Sequence, residues 1–403
     1  MTLLSCHLRS SCLRTSPLQG AEFTSRVLEA LTANPDVWGR TVLLLSFDEN
    51  DGLFDHVPSP APPSYNPDGT LAGKATLDVH GSYFLDPERK YLHPEDQVSG
   101  TLRPWGLGPR VPLYVISPWS RGGWVNSQVF DHTSVGQLLE RRFGITVPAI
   151  SPWHRAVCGD LTSTLDFATP NEVPLTDVPF VTGSADTVAR LSRLPRPAPP
   201  ATPENLFQEP GIRRSRALPY ALHADAHCNP NEQRLRVTFQ SHGTSGAVFH
   251  VYDRLHLERI PRRYTVEASK TLTDAWHLAE DGGRYDLWVY GPNGFVREFR
   301  GTLGKPSETP PQLSLAYDAP GVAVRLIATN PGRHATTLTV RANAYHPGGP
   351  WSLHVPAGGT TSWIQSVVSS HQWYDFSVLA PGFEHRLAGR LETGQHSFSD
   401  PAL

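Results

Sequence analysis

Residues 41–56 have the sequence TVLLLSFDENDGLFDH, in which an apolar run passes directly into an acidic turn. The run from Thr41 to Phe47 is short and continuous, which is typical of a parallel strand covered on both faces. In open parallel sheets, ligands bind at the carboxyl ends of the strands. Asp48 and Glu49 stand at that position, and carboxylate oxygens are ligands for hard divalent cations. The stretch therefore indicates an α/β sheet with a candidate metal site.

The same acidic residues also fit an ordinary solvated turn, because turns favour Asp, Asn and Gly. The spacing does not match a calcium-binding EF-hand loop, since Gly52 stands where a third ligand is required. His56 lies a few residues further on, where it would orient a ligand or act as a general acid. A lone histidine is more often a structural residue. From the residues alone, both interpretations stay open.

The elements around this stretch predict the rest of an α/β layer. Residues 20–34 carry apolar side chains at helical spacing, which predicts a helix. A second apolar run at residues 111–116 predicts another strand. Residues 133–143 predict a second helix, which Asp131 or Thr133 would cap and Gly144 would end. Helices and strands in this order favour an α/β sheet that the chain enters partway.

Residues 118–133 hold a second group of candidate residues. Arg121 would contact a phosphate, because guanidinium groups bind phosphate oxygens. Trp119 or Trp124 would face a quaternary ammonium group by cation–π attraction. The alternative is that both tryptophans belong to the core and that Asp131 only caps the following helix.

From about residue 210 the pattern changes to alternating apolar and polar residues, which predicts β-strands. This part contains an internal repeat, in which four residues recur 89 positions later. They are Arg236, Gly243, Tyr285 and Asp286, repeated as Arg325, Gly332, Tyr374 and Asp375. We interpret the repeat as a duplicated module. Each copy is long enough for a sandwich of about seven short strands.

The composition argues against several classes of protein. Lys and Arg total 35 against 38 Asp and Glu, and like charges form no long run, which argues against nucleic acid as the partner. No stretch of 18 apolar residues occurs, so we predict no transmembrane segment. The four cysteines form no CxxC pair and support neither a zinc ribbon nor a disulfide scaffold. The first residues lack the apolar core of a secretory signal, and the oligomeric state is not predicted.

Several long strings resemble the phosphocholine-specific phospholipase C branch of a bacterial phosphoesterase family. In the first part of the chain they are FDENDGLFDHVPSPAPP from Phe47 and RVPLYVISPWSRGGWVNSQVFDHTS from Arg110. In the β part they are RALPYALHADA from Arg216, AVFHVYDRLHLERIPRRYTVEA from Ala247, YDLWVYGPNGFVREFRG from Tyr285 and GRLETGQHSFSDPAL from Gly389. The resemblance covers roughly residues 16–403.

The resemblance implies a partial alkaline-phosphatase-like α/β sandwich followed by two all-β sandwich domains. We expect residues 1–193 to be the carboxy-terminal part of the catalytic domain, 194–209 a proline-rich linker, 210–305 the first β-sandwich module and 306–403 the second. The implied reaction is hydrolysis of phosphatidylcholine or sphingomyelin to phosphocholine and a diacylglycerol or ceramide. It would proceed through attack of an activated hydroxyl on phosphorus.

The resemblance also implies a cofactor and site residues. In the family, the acidic pair after the strand supplies two metal ligands, and these positions are Asp48 and Glu49 here. The implied cofactor is a divalent metal cation of unspecified identity, and the implied partner is a phospholipid substrate. We predict the catalytic residues His56, Asp131 and His132 and the substrate-binding residues Arg121 and Trp119.

The chain departs from the family in one respect. Family members carry a Glu-Asn metal-ligand motif and their hydroxyl nucleophile in a long amino-terminal portion, and neither motif is found here. We therefore expect a truncated chain with negligible activity on phosphatidylcholine analogues. Family members are exported, periplasmic or extracellular, whereas the localisation of this chain is not predicted. The alternatives are a tandem β-module fragment, from about Pro210, that binds a lipid surface or a partner without catalysis, and a degenerate fragment without function.

Overall fold

The structure, a computed structural model, describes residues 16–50, 52–83, 103–169, 182–195, 198, 201–202, 211–303 and 309–400. The chain divides into two units. The first contains Met1–Asp48, Val111–Gly123 and Leu165–Pro210, and the second contains Glu49–Arg110, Trp124–Thr164 and Gly211–Leu403. The linker predicted over residues 194–209 lies largely outside the described residues. The domain boundaries drawn from the sequence therefore stay predictions.

Capping hydrogen bonds determine where the first helix of the first unit begins. Helix α1 (Pro17–Thr32) begins after Ser16, whose hydroxyl accepts from the Gln19 amide while the Gln19 side chain accepts from the Ser16 amide. The helix predicted over residues 20–34 is confirmed, and it starts earlier because of this reciprocal cap. Two further helices follow, α2 (Pro35–Trp38) and α5 (Ser184–Leu191).

Two short strands form the sheet of the first unit. β1 (Leu43–Ser46) and β4 (Leu113–Ile116) pair antiparallel, with Leu43 opposite Ile116. The prediction of a parallel strand covered on both faces is therefore wrong, and Tyr114 of β4 is 54% exposed. Parallel strands need a long crossover, usually through an α-helix. The described residues between β1 and β4 contain no α-helix, only β2 (Ser64–Tyr65), β3 (Leu71–Ala75) and a single turn of 3-10 helix.

The amino-terminal part of the second unit adds two helices. α3 (Thr133–Phe143) confirms the helix predicted over the same residues, and it ends at Gly144, whose φ of 66° is left-handed. α4 (Pro152–Val157) follows. Trp153 of α4 is fully buried, and its indole nitrogen donates to the Thr265 hydroxyl over 3.0 Å. This contact ties α4 to the β part of the same unit.

The β part of the second unit contains two modules of seven strands each, as the sequence predicted. The strands of the first module are β6 (Leu222–Asn229), β7 (Arg234–Ser241), β8 (Ala247–Asp253), β9 (Arg262–Val266), β10 (Lys270–His277), β11 (Arg284–Tyr290) and β12 (Val296–Thr302). Those of the second module are β13 (Gln312–Asp318), β14 (Ala323–Thr329), β15 (Thr336–Ala344), β16 (Trp351–Val355), β17 (Thr360–Ser366), β18 (Trp373–Ala380) and β19 (Phe383–Arg390). A short pair, β5 (Arg214–Ser215) and β20 (Ser397–Phe398), lies outside both modules.

Each module packs a three-stranded sheet against four strands of a second sheet. The three-stranded sheets have the order β10-β7-β6 and β13-β14-β17. Alternate residues of β7, namely Leu235, Val237 and Phe239, are fully buried, which is the alternation expected when one face of a sheet is covered. The confirmed architecture is thus a mixed α/β amino-terminal region followed by a β-rich carboxy-terminal region. No helix among the described residues is long and apolar enough to cross a membrane.

The second sheets of the two modules join into one sheet of ten strands. Its order is β16-β15-β18-β19-β12-β11-β8-β9-β3-β2, and β12 pairs with β19 across the module boundary. At the other end, β3 runs parallel to β9. Gly73 of β3 has a φ of 120°, and a Cβ there would lie 1.9 Å from the Arg263 carbonyl oxygen. Only glycine fits such a close backbone approach.

Candidate functional site

The predicted metal ligands lie just after β1. Asp48 and Glu49 are both exposed. Within the described part of the chain, neither carboxylate is engaged in a hydrogen bond or an ion pair. Their oxygens are therefore available, and this donor chemistry suits a hard divalent cation. The described residues contain no group of three or more His, Cys, Asp or Glu side chains that could hold a metal ion, so the metal site stays a prediction.

The loop that follows is exposed over most of its length. Asn50 closes it, because its side-chain amide donates to the Leu53 carbonyl over 2.6 Å and its carbonyl accepts from the Leu53 amide over 2.8 Å. His56 is exposed, and its neighbour Asp55 forms an ion pair with Arg110 over 2.8 Å. Within the described residues, no hydrogen bond or ion pair joins His56 to another predicted site residue.

Asp131 caps helix α3. One of its carboxylate oxygens accepts from the Ser134 amide over 3.1 Å and from the Thr133 hydroxyl over 2.6 Å. The Asp131 amide in turn donates to the Ser134 hydroxyl over 3.1 Å. These reciprocal bonds form a capping box at the first turn. The helix-cap interpretation is therefore confirmed for Asp131, while its catalytic role stays a prediction.

Asp131 also lies beside a histidine that sequence reasoning missed. His154 Nε2 is 3.7 Å from the second Asp131 oxygen, and its Nδ1 is 2.8 Å from the Ser151 hydroxyl. Burial lowers the pKa of His154, and the negative charge of Asp131 opposes that shift. The predicted catalytic residue His132 is exposed. No spacing signal links His154 to Asp131, because the two meet through the packing of separate segments.

The predicted substrate-binding residues belong to the first unit. Trp119 and Arg121 are both half-buried. The Trp119 ring lies 5.3 Å from the Phe167 ring, centroid to centroid, and the Trp119 carbonyl accepts from the Asp166 amide over 2.8 Å. Trp119 is therefore held by residues 166–167, which belong to another segment of the first unit. Its contact with a headgroup and the contact of Arg121 with a phosphate stay predictions.

Trp124 has cationic partners supplied by the chain itself. In the second unit, the guanidinium carbon of Arg216 lies 4.5 Å from the Trp124 ring centroid, and that of Arg214 lies 5.6 Å away. The His396 ring lies 4.8 Å from the same ring. In the structure, Trp124 therefore has two cation–π partners within the chain itself, Arg214 and Arg216.

A cavity of about 670 Å³ in the second unit borders the exposed loop. Phe54 and Asp55 line it from the loop. The Arg263 guanidinium also lines it and donates to the Ser64 hydroxyl over 2.7 Å. Two further arginines, Arg103 and Arg110, lie on its wall. Sequence reasoning missed these three arginines, which carry no motif; Arg103 and Arg110 are close in the chain, but Arg263 lies far from both. With one carboxylate against three guanidinium groups, the cavity is positively charged.

Comparison with known proteins adds the family. Residues 13–146 match the phosphoesterase family, and residues 214–302 and 311–390 each match the bacterial phospholipase C C-terminal domain. The two latter matches correspond to the two modules, so the duplication inferred from the 89-residue spacing is confirmed.

Three curated relatives illustrate the similarity. The chain is 48% identical over 396 residues to non-hemolytic phospholipase C of Pseudomonas aeruginosa. This match covers 96% of this chain and 56% of that protein. It is 40% identical over 395 residues to non-hemolytic phospholipase C of Burkholderia pseudomallei, and this match covers 95% of this chain and 54% of that protein. It is 42% identical over 152 residues to phospholipase C A of Mycobacterium tuberculosis, and this match covers 38% of this chain and 26% of that protein.

The chain spans about half the length of the first two relatives. The expectation of a truncated chain stays a prediction. The family assignment rests on both regions of the chain at once, since the α/β part and each β module match separately. Residues 13–146 therefore belong to the phosphoesterase family, and the two β modules belong to the family of bacterial phospholipase C C-terminal domains.

Proposed function

We propose that this chain carries part of a phospholipase C-type phosphodiester hydrolase that releases phosphocholine from phosphatidylcholine or sphingomyelin. The observation that supports the proposal most strongly is the 48% identity to a phospholipase C over 96% of the chain. The positively charged cavity beside the acidic loop is consistent with a substrate that contains a phosphate.

Within this proposal, Asp48 and Glu49 hold the divalent cation. When bound, such a cation polarises a phosphoryl oxygen and neutralises the charge that develops during displacement. Arg121 binds the phosphate and Trp119 faces the headgroup ammonium. We assign proton transfers to His56 and His132, whose imidazoles are exposed, and to Asp131, whose carboxylate also holds the first turn of α3.

We further propose that the isolated 403-residue chain turns over phosphatidylcholine analogues at a negligible rate. Two adjacent carboxylates supply only part of the roughly six oxygen ligands that a hard divalent cation takes. The remaining ligands and the nucleophile would come from a sequence that this chain does not supply.

A chimera tests the assignment directly. The part of the Pseudomonas aeruginosa relative that lies outside the match is joined to this chain, and release of phosphocholine is measured with and without added divalent cations. We expect the chimera to hydrolyse phosphatidylcholine. The double variant Asp48→Asn with Glu49→Gln should do so at a rate lower by about 100-fold or more, since the cation then loses two charged ligands.

The control is a matched pair of exposed carboxylates in the first unit, Glu29→Gln with Asp36→Asn, which should leave the rate unchanged. If the chimera carrying both amides at positions 48 and 49 keeps its rate and its cation dependence, the metal assignment is wrong. If the isolated chain turns over as fast as the chimera, the proposal of an incomplete site is wrong.

A further inference from the structure

A second cavity, of about 430 Å³, lies where the two β modules meet. We call it the junction cavity. Its wall combines segments of the first module around residues 220–223, 242 and 292–295 with residues 316–319 of the second. The volume lies within the range of about 300–1,000 Å³ that small-molecule sites occupy. Because both modules are needed to form the wall, the duplication creates a concave surface that neither module has alone.

Five of the thirteen residues that line this cavity carry aromatic rings, and contacts within the chain hold these rings in place. The His223 ring lies 4.6 Å from the Tyr317 ring and 5.2 Å from the His242 ring, centroid to centroid. His223 Nδ1 donates to the Leu315 carbonyl over 3.0 Å, which leaves Nε2 as an acceptor in the neutral ring. The Tyr220 hydroxyl accepts from the Val129 amide over 3.0 Å. The rings therefore present preformed apolar faces.

The two charged residues of the wall neutralise each other. Arg390 and Glu392 have side chains only 1% and 8% exposed, and they meet in a double contact, with Nε to Oε1 at 2.8 Å and Nη2 to Oε2 at 3.0 Å. The other Arg390 donors go to the Ser215 hydroxyl and to the carbonyls of Phe398 and Arg216. All five guanidinium N–H groups are thus used. An anion entering the cavity would find no free donor on Arg390.

A cation is disfavoured for a different reason. The buried guanidinium of Arg297 lies 4.2 Å from the ring centroid of Phe295, a wall residue, and donates to the hydroxyl of Tyr317 over 3.1 Å. Burial, reinforced by the charge of Arg297, lowers the pKa of His223 to about 4, so this imidazole is neutral near pH 7. The Glu392 carboxylate is committed to Arg390. A cationic ligand would meet like charge without a free carboxylate to compensate it.

Uncharged hydrogen-bonding groups are nevertheless present at the rim. Asn293 lines the cavity from a turn in which its φ is 54°. Within the described residues its side-chain amide makes no hydrogen bond, so it offers two donors and an acceptor. His223 adds the ring acceptor. The cavity thus combines flat apolar faces with neutral polar edges, and this combination suits a ring that carries both C–H faces and hydroxyl groups.

We propose that the junction cavity binds an uncharged saccharide ring. The C–H faces of the sugar pack on the rings of Tyr220, Phe295 and Tyr317, and its hydroxyl groups bond to Asn293 and His223. None of the residues that line the cavity is a predicted phosphodiesterase residue, and the bound saccharide would attach the protein to a glycan-bearing surface. The inference does not depend on the proposed hydrolytic function.

Saturation-transfer NMR on the full chain tests the inference with D-glucose, N-acetyl-D-glucosamine and maltose as probes. Choline chloride is examined by the same method, and sodium phosphate by ³¹P line broadening. We expect transfer from aromatic protons to at least one sugar, and we expect any effect on choline or phosphate to be the same in the full chain and in Ala319→Trp, because those ligands would bind outside the junction cavity. Binding of choline or phosphate that is lost in Ala319→Trp overturns the neutral-ligand inference, and so does the absence of binding by all three sugars.

Three variants locate the binding. Ala319→Trp fills the cavity and should abolish the sugar signal. Asn293→Gly retains the left-handed turn while removing the amide, and it should raise the Kd at least about tenfold. The exposed His277→Ala on β10 is the control and should leave the Kd unchanged. If near-UV circular dichroism shows that Ala319→Trp does not fold, the Kd of Asn293→Gly alone tests whether the sugar binds in this cavity. A sugar signal that survives in the folded variants of both wall positions contradicts the assignment.

Discussion

The guanidinium of Arg297 donates to the phenol oxygen of Tyr374 over 3.1 Å, which ties strand β12 of the first module to strand β18 of the second. Arg297 is 1% exposed. It also donates to the Ala388 carbonyl over 2.8 Å and to the Tyr317 hydroxyl over 3.1 Å, both in the second module. A charge at this depth is stable only when its donors are paired. The contact therefore stabilises the junction as a whole.

Replacing Arg297 with methionine removes this contact while keeping much of the apolar stem. The Ala388 carbonyl and the two phenols each lose a partner, and an unsatisfied buried polar group costs about 1–3 kcal/mol. We expect Arg297→Met to lower the free energy of unfolding by about 3 kcal/mol, measured by urea unfolding.

The control lies on the same strand. Arg300 forms an ion pair with Glu384 over 2.8 Å, but its side chain is largely exposed, so Arg300→Met should change stability by less than about 1 kcal/mol. Equal effects of the two substitutions would show that the buried contact contributes nothing specific to stability.

Tyr285 and Tyr374 occupy corresponding places in the two modules and differ in one respect. Both are almost fully buried. The Tyr374 hydroxyl bonds to Arg297 and, over 2.8 Å, to the Tyr317 hydroxyl, whereas the Tyr285 hydroxyl meets only the thiol of Cys228, a weak partner, and makes no well-formed hydrogen bond in the described part of the chain. We expect Tyr374→Phe to destabilise the protein by about 1 kcal/mol and Tyr285→Phe to be neutral or stabilising. Thermal unfolding of the two variants side by side checks this, and the reverse order contradicts it.

The duplication was predictable because its signals are local. Gly294 and Gly382, whose separation is one residue shorter than the 89-residue spacing, lie in the turns that precede Phe295 and Phe383, with φ values of 70° and 69°, a conformation that favours glycine. Apolar and polar residues alternate before each turn, and this alternation also indicates the strands. Positions fixed by backbone geometry recur in both copies, which is why the 89-residue spacing predicted two seven-stranded modules.

The junction was not predicted, although one signal for it was present. Arg297 of β12 lies two residues after Phe295, which directly precedes the strand, and two residues before Phe299, so the alternation of an extended chain places all three side chains on one face. An arginine on an apolar face indicates a buried partner. Which partner it meets depends on the pairing of β12 with β19. That pairing is between modules, and no local pattern specifies it.

The strand direction of the first sheet was predicted wrongly and His154 was missed for related reasons. Two apolar runs predict two strands, but their relative direction depends on the path of the chain between them, and the observed pairing of β1 with β4 is antiparallel. Likewise, Asp131 was recognised as a cap from its place before a helix, whereas its neighbour His154 is brought close only by tertiary packing. Roles that need several distant groups are therefore the least accessible to sequence reasoning.

Buried neutral histidines predict a loss of stability in acid. Burial lowers the pKa of His250 to about 4, with a smaller contribution from Arg263, and that of His385 to about 3, with a smaller contribution from His227. In the unfolded chain a histidine has a pKa of about 6.5. Below that value the unfolded state binds protons that the folded state refuses, so stability is full above about pH 6.5 and declines as the pH falls towards 4 and 3.

When the pH falls from 7 to 5, each of these histidines should lower the free energy of unfolding by about 2 kcal/mol. Urea unfolding across this range measures the decline, and His250→Phe should reduce its slope while the exposed His277→Ala should not. A slope that is unchanged in the His250 variant would mean that this imidazole is not held neutral by burial.

Asp131 allows structural and chemical roles to be separated, because asparagine caps a helix about as well as aspartate whereas alanine does not. We expect Asp131→Ala to lower the free energy of unfolding by about 1 kcal/mol and Asp131→Asn to leave it nearly unchanged. In the chimera with the Pseudomonas aeruginosa relative, we expect Asp131→Asn to lower phosphocholine release about 100-fold, the loss typical of removing a group that takes part in proton transfer. Stability is measured by urea unfolding and the rate on phosphatidylcholine vesicles. A rate that stays unchanged in the asparagine variant would restrict Asp131 to its hydrogen bonds with Ser134 and Thr133, and the proton transfers would then fall to His56 and His132 alone.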